Sequence, residues 1–368
     1  MKIGILTFHR AINYGAVLQC YALYTTLQNM GHDVEIIDYR PETIERYRNI
    51  FRKKDFYNKP NVLAKIKYII SCITLIWSKK KTNKKFDNFL CNHLKFSPTI
   101  NNSHEITNHY DIIFFGSDQI WSPTICEGLD KVYYGQFEKG NTKFVSYAAS
   151  IGNLEQLNHE LRESFGRYIL SYDSISVREN VLSNYIKQNF NIDTTVVCDP
   201  SLLLKKSDYE KMLVKPEETN YVAFFNLERS KRAEIFAQGI AQKLNSEVIK
   251  LGANINPLHK KTCKQKTNLS PAEFLGYLYY AKCVVTDSFH ATSFSIILHK
   301  DFYTTQKISN NERAKTILNV AGLSDRFVHS NDIIEFTNID YTNVDERLEK
   351  YRKSSMSFIN KSLETDTL

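Results

Sequence analysis

The chain has 368 residues, and at roughly 150 residues per domain this length predicts two domains. The formal net charge of +8 suits nucleic acid, anionic lipid or phosphorylated substrates as partners, or else a solvated basic surface. The seven cysteines are an odd number and show no Cys-x-x-Cys spacing, which argues against a zinc site or a disulfide framework and indicates a reducing, cytoplasmic compartment. The first apolar run, residues 3–8, is too short for a signal peptide.

The first half of the chain alternates strand and helix patterns. Residues 2–8 read as a buried strand, a helix with apolar residues at helical spacing follows from Gly15, and residues 34–39 form the next strand. A strand–helix–strand opening indicates parallel strands. Four further strands are predicted at 111–116, 143–149, 173–177 and 194–199.

A second alternation begins near residue 220. It comprises strands at 221–227, 247–252 and 283–287 and helices at 230–244 and 291–299. Residues 270–273 form a capping box with proline at the first helical position, which starts another helix. The two alternations predict an α/β fold with two Rossmann-like domains that face a cleft. The predicted domains span 1–205 and 206–335, and a final helix lies within 336–368.

Residues 42–110 break the alternation and are predicted to be a basic helical insertion in the first domain. Their uninterrupted apolar run, Tyr68 to Trp77, is about half of the roughly 20 residues that a membrane-spanning helix needs. Lysines flank this run on both sides, namely Lys65, Lys67, Lys79, Lys80, Lys81, Lys84 and Lys85. Segment 62–85 therefore suits either contact with an anionic membrane surface or a core helix with a solvated basic end.

Polar residues follow several strands at the carboxyl edge, where ligands bind in open α/β sheets. After the first strand, Asn13, Tyr14 and Gly15 open a helix whose free N–H groups can hold an anion. Ser117 and Asp118 follow the third strand, where Asp118 can act as a base or bind sugar hydroxyls. The alternative at both places is a turn with a helix cap.

Two more strand ends carry candidate groups. Arg178 can grip a carboxylate or phosphate with two hydrogen bonds, or it can pair with the neighbouring glutamate at the surface. The strongest local signal is segment 286–293, in which a buried strand reaches Ser288, presents His290 and turns into a helix. The segment combines a titratable imidazole with a helix end that attracts anions, although a histidine satisfied within the core is the alternative.

An ordered set of segments resembles the polysaccharide pyruvyl transferase family. The set comprises NYGAVLQ from residue 13, FGSDQIW from 115, SYAASIG from 146, SVRE from 176, VCDPSLLL from 197, residues 271–298, and NERAKTILNVAGLSDR from 311. The resemblance covers about residues 1–330. Two positions depart from it, because Ser288 stands where many relatives carry arginine and Ala291 where glycine often follows the histidine.

The resemblance implies a fold similar to the two-domain GT-B glycosyltransferases, with the C-terminal helix packed back on the first domain. It also implies transfer of the enolpyruvyl unit of phosphoenolpyruvate to a sugar of a lipid-linked surface polysaccharide precursor, such as capsule or exopolysaccharide. A pyruvate ketal would form and phosphate would leave, without a metal or another cofactor. The protein would be cytoplasmic, or peripheral at the inner face of the membrane.

The same resemblance suggests roles for the candidate residues. His290 would be the acid or contact the leaving phosphate, and Asp118 would activate a sugar hydroxyl. Arg178 or Arg313 would supply the contact that the missing arginine leaves open. The remaining predicted substrate-binding residues are Asn13, Tyr14, Gly15, Ser117 and Ser288.

Two other functions stay open. A glycosyltransferase that uses a nucleotide sugar would share the fold but would need a pocket for base and ribose. A non-catalytic protein of the cytoplasmic membrane face would use segment 62–85. Nucleic-acid binding is not expected, because the lysines cluster beside an apolar helix rather than beside aromatic stacking positions.

Overall fold

Six parallel strands form the first of two sheets. They are β1 (Lys2–Leu6), β2 (Asp33–Ile36), β3 (Ile112–Asp118), β4 (Lys143–Ala149), β5 (Ser174–Val177) and β6 (Thr195–Val196). The computed structural model describes residues 1–106, 109–252, 263–308, 311–329 and 335–364. In it the strands lie in the order β2–β1–β3–β4–β5–β6. Ile112 and Phe114 face one hydrophobic cluster and Ile113 and Phe115 another, which explains why β3 is apolar throughout.

The second sheet also has six parallel strands. They are β7 (Tyr221–Phe225), β8 (Glu247–Gly252), β9 (Lys264–Thr267), β10 (Cys283–Thr286), β11 (Phe302–Thr305) and β12 (Phe327–Val328). Their order is β12–β11–β10–β7–β8–β9. Two parallel sheets with helices confirm the predicted α/β fold. The sequence pattern missed β9, β11 and β12, which are short.

Thirteen helices are described. They are α1 (Tyr14–Asn29), α2 (Glu42–Glu45), α3 (Lys53–Tyr57), α4 (Val62–His93), α5 (Pro123–Cys126), α6 (His159–Ile169), α7 (Asn180–Phe190), α8 (Lys206–Glu210), α9 (Lys231–Lys243), α10 (Pro271–Tyr279), α11 (Phe289–Ile297), α12 (Glu312–Ala321) and α13 (Tyr341–Leu363). Asn13 caps α1, and the predicted capping box between Ser270 and Glu273 opens α10. These caps set where the chain turns from each strand into its helix.

One hydrophobic cluster, which we call the shared core, joins the two sheets. It contains Ile5 and Phe114 of the first sheet, Ala223 and Val284 of the second, and Ile359 of α13. The C-terminal helix also bonds to the predicted first domain, because the Ser355 hydroxyl accepts from the backbone N–H of Cys198 and the Arg352 side chain donates to the carbonyl of Leu202. The domain boundaries near residues 205 and 335 stay predictions.

The insertion contains α2, α3 and the 32-residue helix α4. The last third of α4 buries Phe86, Phe89 and Leu90, whereas its first half lies at the surface. The predicted lysine cluster is only partly available for contact with a membrane surface, because Lys85 pairs with Glu273 at 2.6 Å and Lys79 donates to a backbone carbonyl. Across the residues that the structure describes, no helix combines the length and apolarity needed to cross a membrane.

Candidate active site

A cleft of about 890 Å³ opens between the carboxyl ends of the two sheets. Loops that follow parallel strands converge on this edge, so residues far apart in sequence meet there. Seven of the predicted site residues line the cleft, namely Asn13, Tyr14, Gly15, Asp118, Ser288, His290 and Arg313. Ser117 and Arg178 do not line it. The structure therefore brings together most of the strand-end candidates.

His290 lies in the first turn of α11, whose N-terminus is capped by the Ser288 hydroxyl. Its Nε2 atom is buried and lies 3.6 Å from Oδ2 of Asp199, just beyond hydrogen-bond distance. The other edge of the ring presses against α1, since a Cβ atom on Gly15 would be only 2.1 Å from Nδ1. The β1–α1 loop and the β10–α11 turn thus meet at one imidazole.

Asp199 is a buried carboxylate behind His290 that our sequence analysis did not select. It accepts hydrogen bonds from the Ser201 backbone at 3.0 Å, the Ser201 hydroxyl at 2.7 Å and the Arg178 guanidinium at 2.8 Å. Burial opposes its ionisation, but the contacts with His290, Arg178 and Ser201 hold its pKa well below the ordinary value. A negative charge is therefore fixed directly behind the imidazole. The available signal was its position as the last residue of the predicted strand 194–199.

Arg178 and Ser117 contact Asp199 and do not line the cleft, so their predicted substrate contacts stay predictions. Arg178 is buried, pairs with Asp199 and with Glu179 at 3.2 Å, and lies 5.0 Å from the centre of the Phe289 ring. Burial lowers its pKa, but the two carboxylates outweigh that effect and raise it. Ser117 is fully buried, and its hydroxyl donates to the carbonyl of Ala148 and, at 3.4 Å, to Asp199.

Two cations reach the cleft without forming an ion pair with an acidic side chain of the described residues, although Asp118 acts on Arg313 and Asp287 on Lys307 from a longer range. Within the described part of the chain, neither the Arg313 guanidinium nor the Lys307 ammonium makes an ion pair or a side-chain hydrogen bond. Burial is the main cause that lowers the pKa of each, and Arg313 is further affected by the positive charge of Arg178. A phosphate or carboxylate bound beside the two cations would offset the free-energy cost of burying each positive charge. Lys307 lies outside the segments on which the sequence analysis relied.

Other lining residues complete the walls. Asp118 has a φ of 72° and lines the cleft, where its charge acts on Arg313. Tyr14 stacks on Phe274 of α10 with ring centres 4.1 Å apart and also contacts Phe86 of α4. Its hydroxyl is buried without a hydrogen-bond partner in the described residues, and burial raises its pKa. Tyr14 therefore separates the cleft from α4.

The described residues contain no group of three or more His, Cys, Asp or Glu side chains arranged to hold a metal ion. Residues 13–304 match the family model described as polysaccharide pyruvyl transferase. The chain belongs to the polysaccharide pyruvyl transferase family. The match runs from the residue that caps α1 into β11, so β1 and β12 lie outside it, whereas most of the cleft residues, His290 among them, lie within it.

Solved structures with similar architecture share little sequence with this pyruvyl transferase. UDP-GlcNAc 2-epimerase from Methanocaldococcus jannaschii, in complex with UDP-GlcNAc and UDP, is 11% identical with a TM-score of 0.45, covering 97% of this chain and 93% of the epimerase. The Neisseria meningitidis UDP-GlcNAc 2-epimerase is 10% identical with a TM-score of 0.42, covering 100% and 95%. The glycosyltransferase SnogD from Streptomyces nogalater is 9% identical with a TM-score of 0.37, covering 98% and 97%. At TM-scores below 0.5 these likenesses assign no activity. No curated protein matches the sequence.

The contact between Gly15 and His290 gives a direct test of this arrangement. Gly15→Ala should stabilise an ordinary helix by roughly 1 kcal/mol, but here the new methyl group would displace the imidazole. We expect turnover to fall at least tenfold with the fold retained, by analogy with other small displacements of catalytic groups. Gly239→Ala in α9 is the matched control, because a Cβ atom there meets nothing within 4 Å. Equal activity of the two variants would mean that the His290 position is unimportant.

Proposed function

We propose that the protein transfers the enolpyruvyl unit of phosphoenolpyruvate to two hydroxyl groups of one sugar in a surface-glycan precursor, forming a cyclic pyruvate ketal and releasing phosphate. One observation carries the proposal. In this member of the family, an imidazole backed by a buried carboxylate faces a cleft that also contains two cations without an ion pair in the described residues. Such a site suits a small dianionic donor that must be protonated on carbon.

Donor binding would use these two cations. Phosphoenolpyruvate carries a phosphate and a carboxylate, and Arg313 and Lys307 offer a planar guanidinium and a point charge on the same side of the cleft. Ser288 stands in place of the arginine found in many relatives, so Arg313 of α12 would supply that positive charge instead. The hydroxyl of Ser288 already caps α11 and adds no charge.

Protonation of the donor would be the step assigned to His290. A proton moves from the imidazolium to the methylene carbon, C2 becomes oxocarbenium-like, and a sugar hydroxyl oxygen bonds to C2 as its proton passes to a base. Asp118 is the candidate for that base, because it lines the cleft. The bond from C2 to the phosphate oxygen then breaks, and the second hydroxyl closes the ketal. The sugar loses two hydroxyl protons. One of them restores the proton that His290 gave to the methyl group, and the other leaves with phosphate.

A coupled assay tests the proposed reaction. The protein is incubated in D₂O with phosphoenolpyruvate and a panel of glycan precursors, both lipid-linked and water-soluble, while phosphate release and the ketal methyl signal are followed by NMR. We expect one deuterium in the ketal methyl group and one phosphate per ketal. A parallel incubation with nucleotide sugars tests the glycosyltransferase alternative. Glycosyl transfer without any ketal would refute the proposal.

Arg313 provides a separate test of donor binding. Arg313→Ala removes charge-assisted hydrogen bonds worth about 1.5–3 kcal/mol, so phosphoenolpyruvate should bind roughly 10- to 150-fold more weakly in calorimetry. Lys315→Ala is the control, because Lys315 is an exposed cation on the same helix and does not line the cleft. Unchanged donor affinity in Arg313→Ala would exclude this residue from the donor site.

A further inference from the structure

We propose that the outward face of α4 docks the protein onto an anionic lipid bilayer. The inference stands on the exposed side chains of one helix and does not depend on the catalytic assignment. Seven apolar residues in the first half of α4 are largely exposed, namely Val62, Leu63, Ile66, Ile69, Ile70, Ile73 and Trp77. Trp77 is 81% exposed. Such an exposed apolar set is unusual on a soluble surface and marks a binding face.

The seven residues lie on one side of the helix. At 100° per residue they fall within an arc of about 120°, and from Val62 to Trp77 they extend over about 22 Å. The short helix α3, next to α4, adds Tyr57, whose side chain is 70% exposed. The result is a continuous apolar strip rather than scattered exposed residues.

The same side of the helix becomes basic where the apolar strip ends. Lys80, Lys81 and Lys84 fall within the same arc, and all three are exposed. Lys67, also exposed, lies beside the apolar strip. One face of a single helix therefore carries an apolar strip followed by a cationic patch.

The opposite side of α4 is held by the rest of the protein, so this face must point outward. Cys72 contacts the carbonyl of Ile50, and the hydroxyls of Ser78 and Thr82 each donate to Asn268 at 2.7 Å. Lys85 completes the anchoring through Glu273, at the start of α10. The contacts with Asn268 and Glu273 tie α4 to the start of α10, a helix that borders the cleft.

Charge and composition identify the occupant of this face. A second copy of the chain would bring two cationic patches onto one interface, and the one acidic residue within the arc of α4, Asp87, already pairs with Arg10 and Arg48. An anionic bilayer suits both the apolar strip and the cationic patch, since apolar side chains enter the interfacial region and lysines contact the headgroups. Tryptophan is favoured at that depth because its ring is amphipathic.

The two tryptophans of the chain make the proposal measurable. Trp121 is fully buried, so a change in tryptophan emission on vesicle binding reports Trp77. We expect a blue shift and co-flotation with vesicles of phosphatidylcholine and phosphatidylglycerol at low salt, and neither with phosphatidylcholine alone. Replacing Lys80, Lys81 and Lys84 by glutamine should weaken partitioning by on the order of 100-fold, at about fivefold per lysine.

Matched variants decide between outcomes. Lys350→Gln, Lys353→Gln and Lys361→Gln together make the same charge change at exposed positions of α13 and should leave binding unchanged. Ile70→Glu with Ile73→Glu should abolish flotation while circular dichroism stays native, because both side chains are exposed. The proposal is overturned if the wild type stays unbound at low salt, if the α13 variant binds as weakly as the α4 lysine variant, or if sedimentation shows a dimer that Ile70→Glu dissociates.

Discussion

Replacing His290 by asparagine is expected to lower turnover by roughly 10²- to 10⁴-fold, the usual contribution of a positioned acid or base. Asparagine keeps a polar side chain of similar reach but cannot deliver a proton to carbon. The fold should survive, because the ring borders the cleft and Nε2 makes no hydrogen bond within the described chain. Steady-state phosphate release with saturating phosphoenolpyruvate measures the effect.

His159→Asn is the control for this variant, since His159 is exposed at the start of α6. It should retain wild-type turnover. A second readout separates chemistry from binding, because donor affinity in calorimetry should change little when only the proton donor is lost. Near wild-type turnover of His290→Asn would remove the residue from the mechanism.

Replacing Asp199 by asparagine is expected to lower both stability and turnover. The change leaves the Arg178 charge buried with one carboxylate partner fewer, and breaking a buried pair typically costs 3–5 kcal/mol. It also removes the negative charge that lies 3.6 Å from Nε2 of His290. Urea denaturation at pH 7 measures the first effect, and turnover at a temperature where the variant remains folded measures the second.

The stability effect should depend on pH in a defined direction. Because the pKa of Asp199 is depressed in the folded protein, its ionised form contributes stability above the ordinary carboxyl pKa of about 3.9. That contribution is lost as the pH falls toward the lower folded value, so the difference between wild type and variant should shrink below about pH 4. Asp193→Asn, at an 89% exposed side chain, should show little effect at any pH. A pH-independent difference would mean that the Asp199 charge is not the cause.

The first sheet was predictable because its strands are apolar runs between recognisable helix starts. The strands that sequence analysis missed carry too little pattern, since β12 has two residues and β9 reads KQKT. Strand-end positions such as Asp118 and His290 were predictable for a topological reason, because parallel strands end at one edge.

Partners that are distant in sequence account for what could not be predicted. An arginine followed by glutamate, as at Arg178, predicts either a surface ion pair or a ligand contact. Its burial follows from its pairing with Asp199, which is distant in sequence. Lys85 looks like one member of a basic run, but Glu273 lies 188 residues away. No local pattern encodes either pairing.

The shared core has a consequence for how the cleft works. Domains joined by a large apolar interface do not rotate freely, since opening would expose that surface to water. Phe114 of the first sheet and Val284 of the second belong to one packed cluster, which also contains Ile359 of the last helix. We therefore expect the cleft to be preformed, so that its width limits which molecules can enter it together.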